Sequence, residues 1–240
     1  MAAAGSGQRL GAGGPKAFVE LCGRPLVEWS LRALGDARTI SSIVLAVPAG
    51  WEERAEALLR GAAPETPAVV IEGGATRSES VAGAVARIDD DLVAVHDAAR
   101  PLLEAELVDR VVGRLAADPG ADAAIAAALL ADTVKRAEAA GEGVGSHGDS
   151  GPGRVVQETL DRERLWAAQT PQAFRTAALA EAQRRARESA ELESATDEAW
   201  LIERVGGRVL IEPSSGPNLK VTAPADLALA AALLAASGRA

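Results

Sequence analysis

Arg9 and Lys16 are cations seven residues apart, set around a glycine-rich run, Ala2-Ala3-Ala4-Gly5-Ser6-Gly7-Gln8-Arg9-Leu10-Gly11, with Pro15 directly before the lysine. Glycines let consecutive backbone N–H groups turn toward one anion, because no Cβ blocks the approach. Arginine adds a planar fork for two phosphate oxygens and lysine a compact charge. The pattern predicts a polyphosphate cradle; a tight loop without a ligand is the plainer reading. It is not a dinucleotide fingerprint, since Leu10 stands where the third glycine of G-x-G-x-x-G belongs.

Five further clusters carry polar chemistry. Gly73-Gly74-Ala75-Thr76-Arg77-Ser78-Glu79-Ser80 is read either as a glycine turn in which Thr76 or Ser78 caps a helix, or as a wall for a nucleoside base with Ser80 in the pocket. In Val95-His96-Asp97-Ala98-Ala99-Arg100-Pro101 a carboxylate directly follows an apolar strand. Magnesium takes one or two carboxylates together with phosphates and water, so Asp97 alone suffices for a metal–triphosphate. His96 reads as a packed strand-end residue, and Arg100 as a partner of Asp97 or of a substrate. Trp166–Phe174 reads as a stiff turn, Thr196-Asp197-Glu198 as a helix start capped by Thr196, and Asn218-Leu219-Lys220-Val221-Thr222 as a short strand.

These residues need elements to hold them. Strands are predicted at residues 42–47, 67–71, 92–96 and, less distinctly for its alanines, 123–130. Helical spacing fits 26–34, 52–60, 78–88 and 106–115. Alternation of this kind predicts an α/β, Rossmann-like fold, a mainly parallel sheet with helices on both faces and ligands beyond the carboxyl ends of its strands. A buried strand should precede the cradle, yet Met1 stands there. The expectation is a first strand largely missing, a start of translation lying upstream, and better solubility and activity in a version extended by an apolar strand. Residues 137–153 are too rich in glycine to pack. Their flanks, 132–136 and 154–159, read as the arms of a projecting hairpin with a mobile tip, laid on a second copy of the chain. Helices at 177–189 and 197–205, a strand at 208–211 and a helix from Pro224 follow.

The totals exclude several classes. With 240 residues, 48% of them hydrophobic, the chain can bury a core as one domain, built on aliphatic residues because aromatics are only 2%. A net charge of −9 argues against nucleic acid, while a few focused cations can still hold an anion. The lone Cys22 excludes an internal disulfide and reads as a small buried hydrophobe. Two histidines and one cysteine at these positions assemble no nucleophilic triad. No apolar run is long enough to span a bilayer, and no signal peptide is visible, which points to the cytoplasm.

In order along the chain these motifs resemble the 2-C-methyl-D-erythritol 4-phosphate cytidylyltransferase family. They are Ala-Ala-Gly-x-Gly-x-Arg with Pro-Lys, Gly-Gly-x-x-Arg-x-x-Ser-Val, Val-His-Asp-Ala-Ala-Arg-Pro, Asp-Thr-x-Lys-Arg, Thr-Leu-Asp-Arg, Gln-Thr-Pro-Gln-x-Phe, Thr-Asp-Glu-Ala and Asn-x-Lys-Val-Thr. The resemblance implies that Ala3, Ala4, Gly5 and Gly7 wrap CTP, with Gly74 and Ser80 against the cytidine. It makes Arg9 and Lys16 the pair at the α-phosphate and Asp97 the carboxylate on the Mg2+ side. It assigns Lys220 and Arg162 to catalysis and, with Thr133 and Thr196, to the polyol phosphate. It further implies a homodimer in which residues 131–162 reach the neighbouring subunit and share its site. Ala17 departs from the family, which commonly has Gln after Pro-Lys. Rival readings are a cytidylyltransferase for another polyol phosphate, such as ribitol 5-phosphate, and an inactive nucleotide-binding dimer. A nicotinamide dehydrogenase fits least.

Overall fold

The computed structural model describes residues 1–5, 14–139 and 153–239. Gly7, Arg9 and the arm tip at 140–152 lie outside them. Two short strands come first, β1 (Glu20–Leu21) and β2 (Arg24–Pro25), followed by α1 (Leu26–Asp36), β3 (Ile43–Val47), α2 (Glu52–Ala62) and β4 (Ala68–Glu72). Next are α3 (Arg77–Val85), β5 (Leu92–Val95), α4 (Ala105–Ala116), β6 (Ala123–Leu129), β7 (Lys135–Ala139) and β8 (Arg154–Thr159). The chain closes with β9 (Trp166–Arg175), α5 (Thr176–Glu188), α6 (Glu198–Arg204), β10 (Val209–Pro213) and α7 (Pro224–Ala236).

β3 and β4 pair in parallel, and a second sheet runs β10-β6-β9-β5. Residues 1–3 join the two. Ala2 bridges Ala46 and Asp97 in parallel; its N–H donates to the His96 carbonyl at 2.9 Å, and Ala98 N–H donates back to Ala2 O at 3.0 Å. On the other side Ala3 N–H meets Ala46 O at 2.9 Å and Ala46 N–H meets Met1 O at 3.0 Å. A few residues thus occupy the central strand position, and the Met1 ammonium ends the row on Val44 O at 2.6 Å. The sheet is parallel apart from β9, which runs antiparallel to both β5 and β6.

Alternating side chains divide the core. Ala123 and Ile125 face the cluster of Phe174, Leu179, Leu201 and Ile202 that involves α3, α5 and α6. Ala124 and Ala126 face Leu107, Val111 and Leu115 of α4. On that second side α1 and α2 cover β3 through Val27, Leu31, Leu45 and Leu59. The alanines of β6 also suit a helix, but a position between β9 and β10 makes them a strand; propensity yields to packing.

Four expectations are corrected. Residues 166–174 are no turn: they form the ten-residue β9, the sheet's internal antiparallel strand. Residues 218–222 take no regular structure, whereas β7 runs three residues further than the predicted arm. Cys22 is exposed, with φ 51°, beside Gly23 with φ 75°. The two form the two-residue turn joining β1 to β2, where right-handed strand twist favours positive φ at both positions.

Candidate active site

A cleft of about 500 Å³ opens where residues 3–5 leave the sheet. Ala3, Ala4, Gly5 and Lys16 line one part of it, and Gly74, Arg77, Ser80, Asp97 and Lys220 are among the residues that line another. A Cβ on Gly73 would stand 2.4 Å from Ala4 Cβ and 2.8 Å from Ser80 Oγ, so only glycine lets this loop press against residue 4. A Cβ on Gly5 would meet no atom of the described residues within 4 Å. Thr76 caps α3 in a reciprocal box with Glu79, as one of the two sequence readings has it. Ser80 lines the cleft, but its hydroxyl donates to the Thr76 carbonyl at 2.9 Å instead of pointing into the space.

Asp97 follows β5 at the carboxyl edge of the sheet. Its backbone N–H donates to Thr170 Oγ1 at 3.1 Å, and the Thr170 hydroxyl lies 3.1 Å from His96 Nδ1. Burial pushes the His96 imidazole down to about 3, so it is neutral near pH 7 and its Nδ1 can accept that hydroxyl proton. Asn218 Nδ2 donates to the Thr170 carbonyl at 2.8 Å and to Gln169 Oε1 at 3.0 Å. Arg100 does not hold Asp97; its Nη1 donates to Asn218 O at 2.7 Å, and Val221 N–H donates to Ala99 O at 2.8 Å. These bonds lash the irregular 218–222 segment to the loop after β5, which is how Lys220 reaches the cleft.

Two cations meet on the Asp97 carboxylate. Arg77 Nε donates to Oδ1 at 2.8 Å and Lys220 Nζ to Oδ2 at 2.7 Å. Burial alone would raise the Asp97 carboxyl, but Arg77 and then Lys220 outweigh it and hold the group well below the usual range. Arg77 also carries the fully buried Glu198, both of whose oxygens lie within 2.8 Å of Nη1. Neither Arg77 nor Glu198 is singled out by the sequence reading for a role. Each does fall inside a quoted motif, and that was the available signal.

The rest of the predicted set lies elsewhere. Thr133, Arg162 and Thr196 are exposed and do not line this cleft; the Arg162 guanidinium donates to the Ala131 carbonyl. Asp197, not Thr196, caps α6, accepting from Trp200 N–H at 2.9 Å. Among the described residues no group of three or more His, Cys, Asp or Glu could hold a metal.

The 2-C-methyl-D-erythritol 4-phosphate cytidylyltransferase family profile matches residues 1–236. The protein of that name from Dechloromonas aromatica is 44% identical over 241 residues, covering 98% of this chain and 95% of its own. That from Synechococcus sp. (strain CC9902) is 41% identical over 237 residues, covering 98% and 96%. The crystal structure of the Thermus thermophilus protein of that name superposes with a TM-score of 0.72 at 34% identity, covering 94% of this chain and 96% of that one. Likeness of this extent, in sequence over nearly every residue and in fold over nearly as many, makes the chain a member of the 2-C-methyl-D-erythritol 4-phosphate cytidylyltransferase family.

Proposed function

We propose that the chain joins CTP to 2-C-methyl-D-erythritol 4-phosphate, giving 4-diphosphocytidyl-2-C-methyl-D-erythritol and pyrophosphate in the non-mevalonate isoprenoid route. The observation that carries this reading is the convergence of Gly5, Lys16, Asp97 and Lys220, drawn from separate motifs, on one cleft at the sheet's carboxyl edge. A phosphate oxygen of the polyol phosphate attacks the α-phosphorus of CTP in line, and the bond to pyrophosphate breaks. A phosphomonoester is already ionised near neutral pH, so no strong base is required. Positioning and charge neutralisation then account for the rate.

In this reading Ala4, Gly5 and Gly7 offer backbone N–H groups to the triphosphate beside Ala3, whose own N–H is held by Ala46 O, while Gly74 and the loop around Ser80 flank the cytosine. Arg9 and Lys16 gather charge on the α-phosphate. Lys220 brings the second phosphate, helped by Thr196 and, from a neighbouring subunit in a homodimer, by Arg162 and Thr133. The exposed Val155 and Val156 on the arm support that dimer. No helix among the described residues is long and apolar enough to cross a membrane, in keeping with a cytoplasmic enzyme. Asp97 fits a magnesium ion that arrives with the triphosphate: it is ionised and opens on the cleft, and one carboxylate suffices when phosphates complete the shell. When bound, such an ion draws charge from the phosphate oxygens.

Pyrophosphate release, measured with CTP and either methylerythritol phosphate or ribitol 5-phosphate, tests the reaction and the substrate together. Release with the first and little with the second is expected. The reverse preference, or release with neither, overturns the reading.

A further inference from the structure

We propose that Glu198 is a positioning residue for Asp97: by anchoring Arg77 on one carboxylate oxygen, it leaves the other to Lys220, the partner that can be exchanged. The inference rests on the reading that Asp97 faces a nucleotide carrying a divalent cation. Glu198 is the first residue of α6 and Arg77 the first of α3, so two helix starts meet behind Asp97. Glu198 has no exposed surface and does not line the cleft, which leaves it no direct access to substrate. Its oxygens lie 2.8 and 2.7 Å from Arg77 Nη1, while Arg77 Nε holds Asp97 Oδ1 at 2.8 Å.

The two partners of Asp97 are unequal. Withdrawing Arg77 would strand a fully buried carboxylate, which is strongly unfavourable. Withdrawing Lys220 returns to water an ammonium whose side chain is already 41% exposed, and the buried Asp97 keeps Arg77 as its counter-charge. A hard cation that needs an Asp97 oxygen therefore gains Oδ2. The released Lys220 then turns to the phosphate of the second substrate. Loss of the Glu198 charge frees Arg77 to cover both oxygens of Asp97, and the exchange fails.

The test is the affinity for Mn2+ with CTP, without the second substrate, read from the free Mn2+ signal in electron paramagnetic resonance. Thermal melting is followed in parallel. Glu198→Gln keeps the shape and removes the charge; Arg77→Lys keeps the charge, loses the fork, and carries the test should the first variant not fold. We expect each folded variant to bind about 10- to 100-fold more weakly, as for other residues that orient a metal ligand. Glu198→Asp, which retains the charge, should recover part of the affinity. Variants that melt lower yet bind as tightly as the parent assign Glu198 to stability alone and overturn the proposal. A parent protein that binds no Mn2+ with CTP removes the underlying reading as well. A parent that binds them but releases no pyrophosphate with methylerythritol phosphate contradicts only the proposed reaction.

Discussion

Asp97 carries two cations at once, and that crowding sets what each residue of the cleft can contribute. Lys16, on the opposite side of the motif set, is half-buried and lines the same space. If the rate comes from neutralising charge that develops on the α-phosphate, removing one such cation should cost about 3–4 kcal/mol of barrier, roughly 100- to 1000-fold. Lys16→Ala should therefore lose that much in kcat/KM while its stability changes by about 0.5 kcal/mol or less, as measured by steady-state kinetics and denaturant melts. Near-normal turnover would remove Lys16 from the chemistry. Lys16 and Asp97 are legible in the sequence because each sits in a short motif with an obvious chemical type, whereas Lys220, in what reads as a short strand, enters only through the family resemblance. Glu198 was legible only as a helix start. Its partner Arg77 lies 121 residues away, and no local pattern reports an ion pair of that span.

At the scale of elements, apolar runs reveal β3, β4 and β5 and helical spacing reveals α1 to α4; β3 is buried throughout, whereas β4 shows the same run of aliphatic residues with Val69 half exposed. β9 hides for a physical reason. Its buried half contains Thr170 and Gln172, polar residues that erase the strand signal; Thr170 bonds to His96 and Asp97, and the Gln172 NH2 donates to Asp197 while its Oε1 has no protein partner among the described residues. Pro171 removes a ladder donor, and the pairing with β6 shifts there, from Ile125–Gln172 to Ala127–Ala168. The residues at 1–3 carry a pH signature. Burial, and then repulsion from Arg77, pulls the Met1 ammonium down to about 6 from an ordinary 8.0. Between these values the unfolded chain holds more protons, so stability should fall as pH drops from 8 to 6, by about 2–3 kcal/mol in all. Below 6.5 the buried, neutral His96 adds a loss of the same sign, extending toward 3. Thermal melts across pH 6.5–8.5 should show the first slope in protein with a free Met1 amine. They should show none after N-terminal acetylation; an identical slope in both would contradict the assignment.

The arm matters at the scale of the whole molecule. Leu129 at the end of β6 and Val155 and Val156 on β8 expose 58%, 50% and 55% of their surface, apolar side chains that a lone subunit leaves in water. Thr133 and Arg162 travel with that arm and do not reach their own chain's cleft. A Val155→Asp, Val156→Asp double variant should sediment as a monomer and lose most activity, with the domain still melting cooperatively. A fully active monomer, or an unchanged dimer, would show that the arm does not complete a neighbour's site. The general architecture was readable because alternating strands and helices admit few arrangements, whereas the proposed docking of the arm on a second copy would depend on a surface outside the chain itself.

The central claim is that a glycine cradle and the cations around Asp97 hold a nucleotide and a phosphate in line, and the position of bound CTP tests it most directly. A crystal structure of the protein with CTP should place the triphosphate between Gly5, Lys16 and Asp97, with the cytosine beside Gly74. CTP bound anywhere outside that cleft would contradict the account.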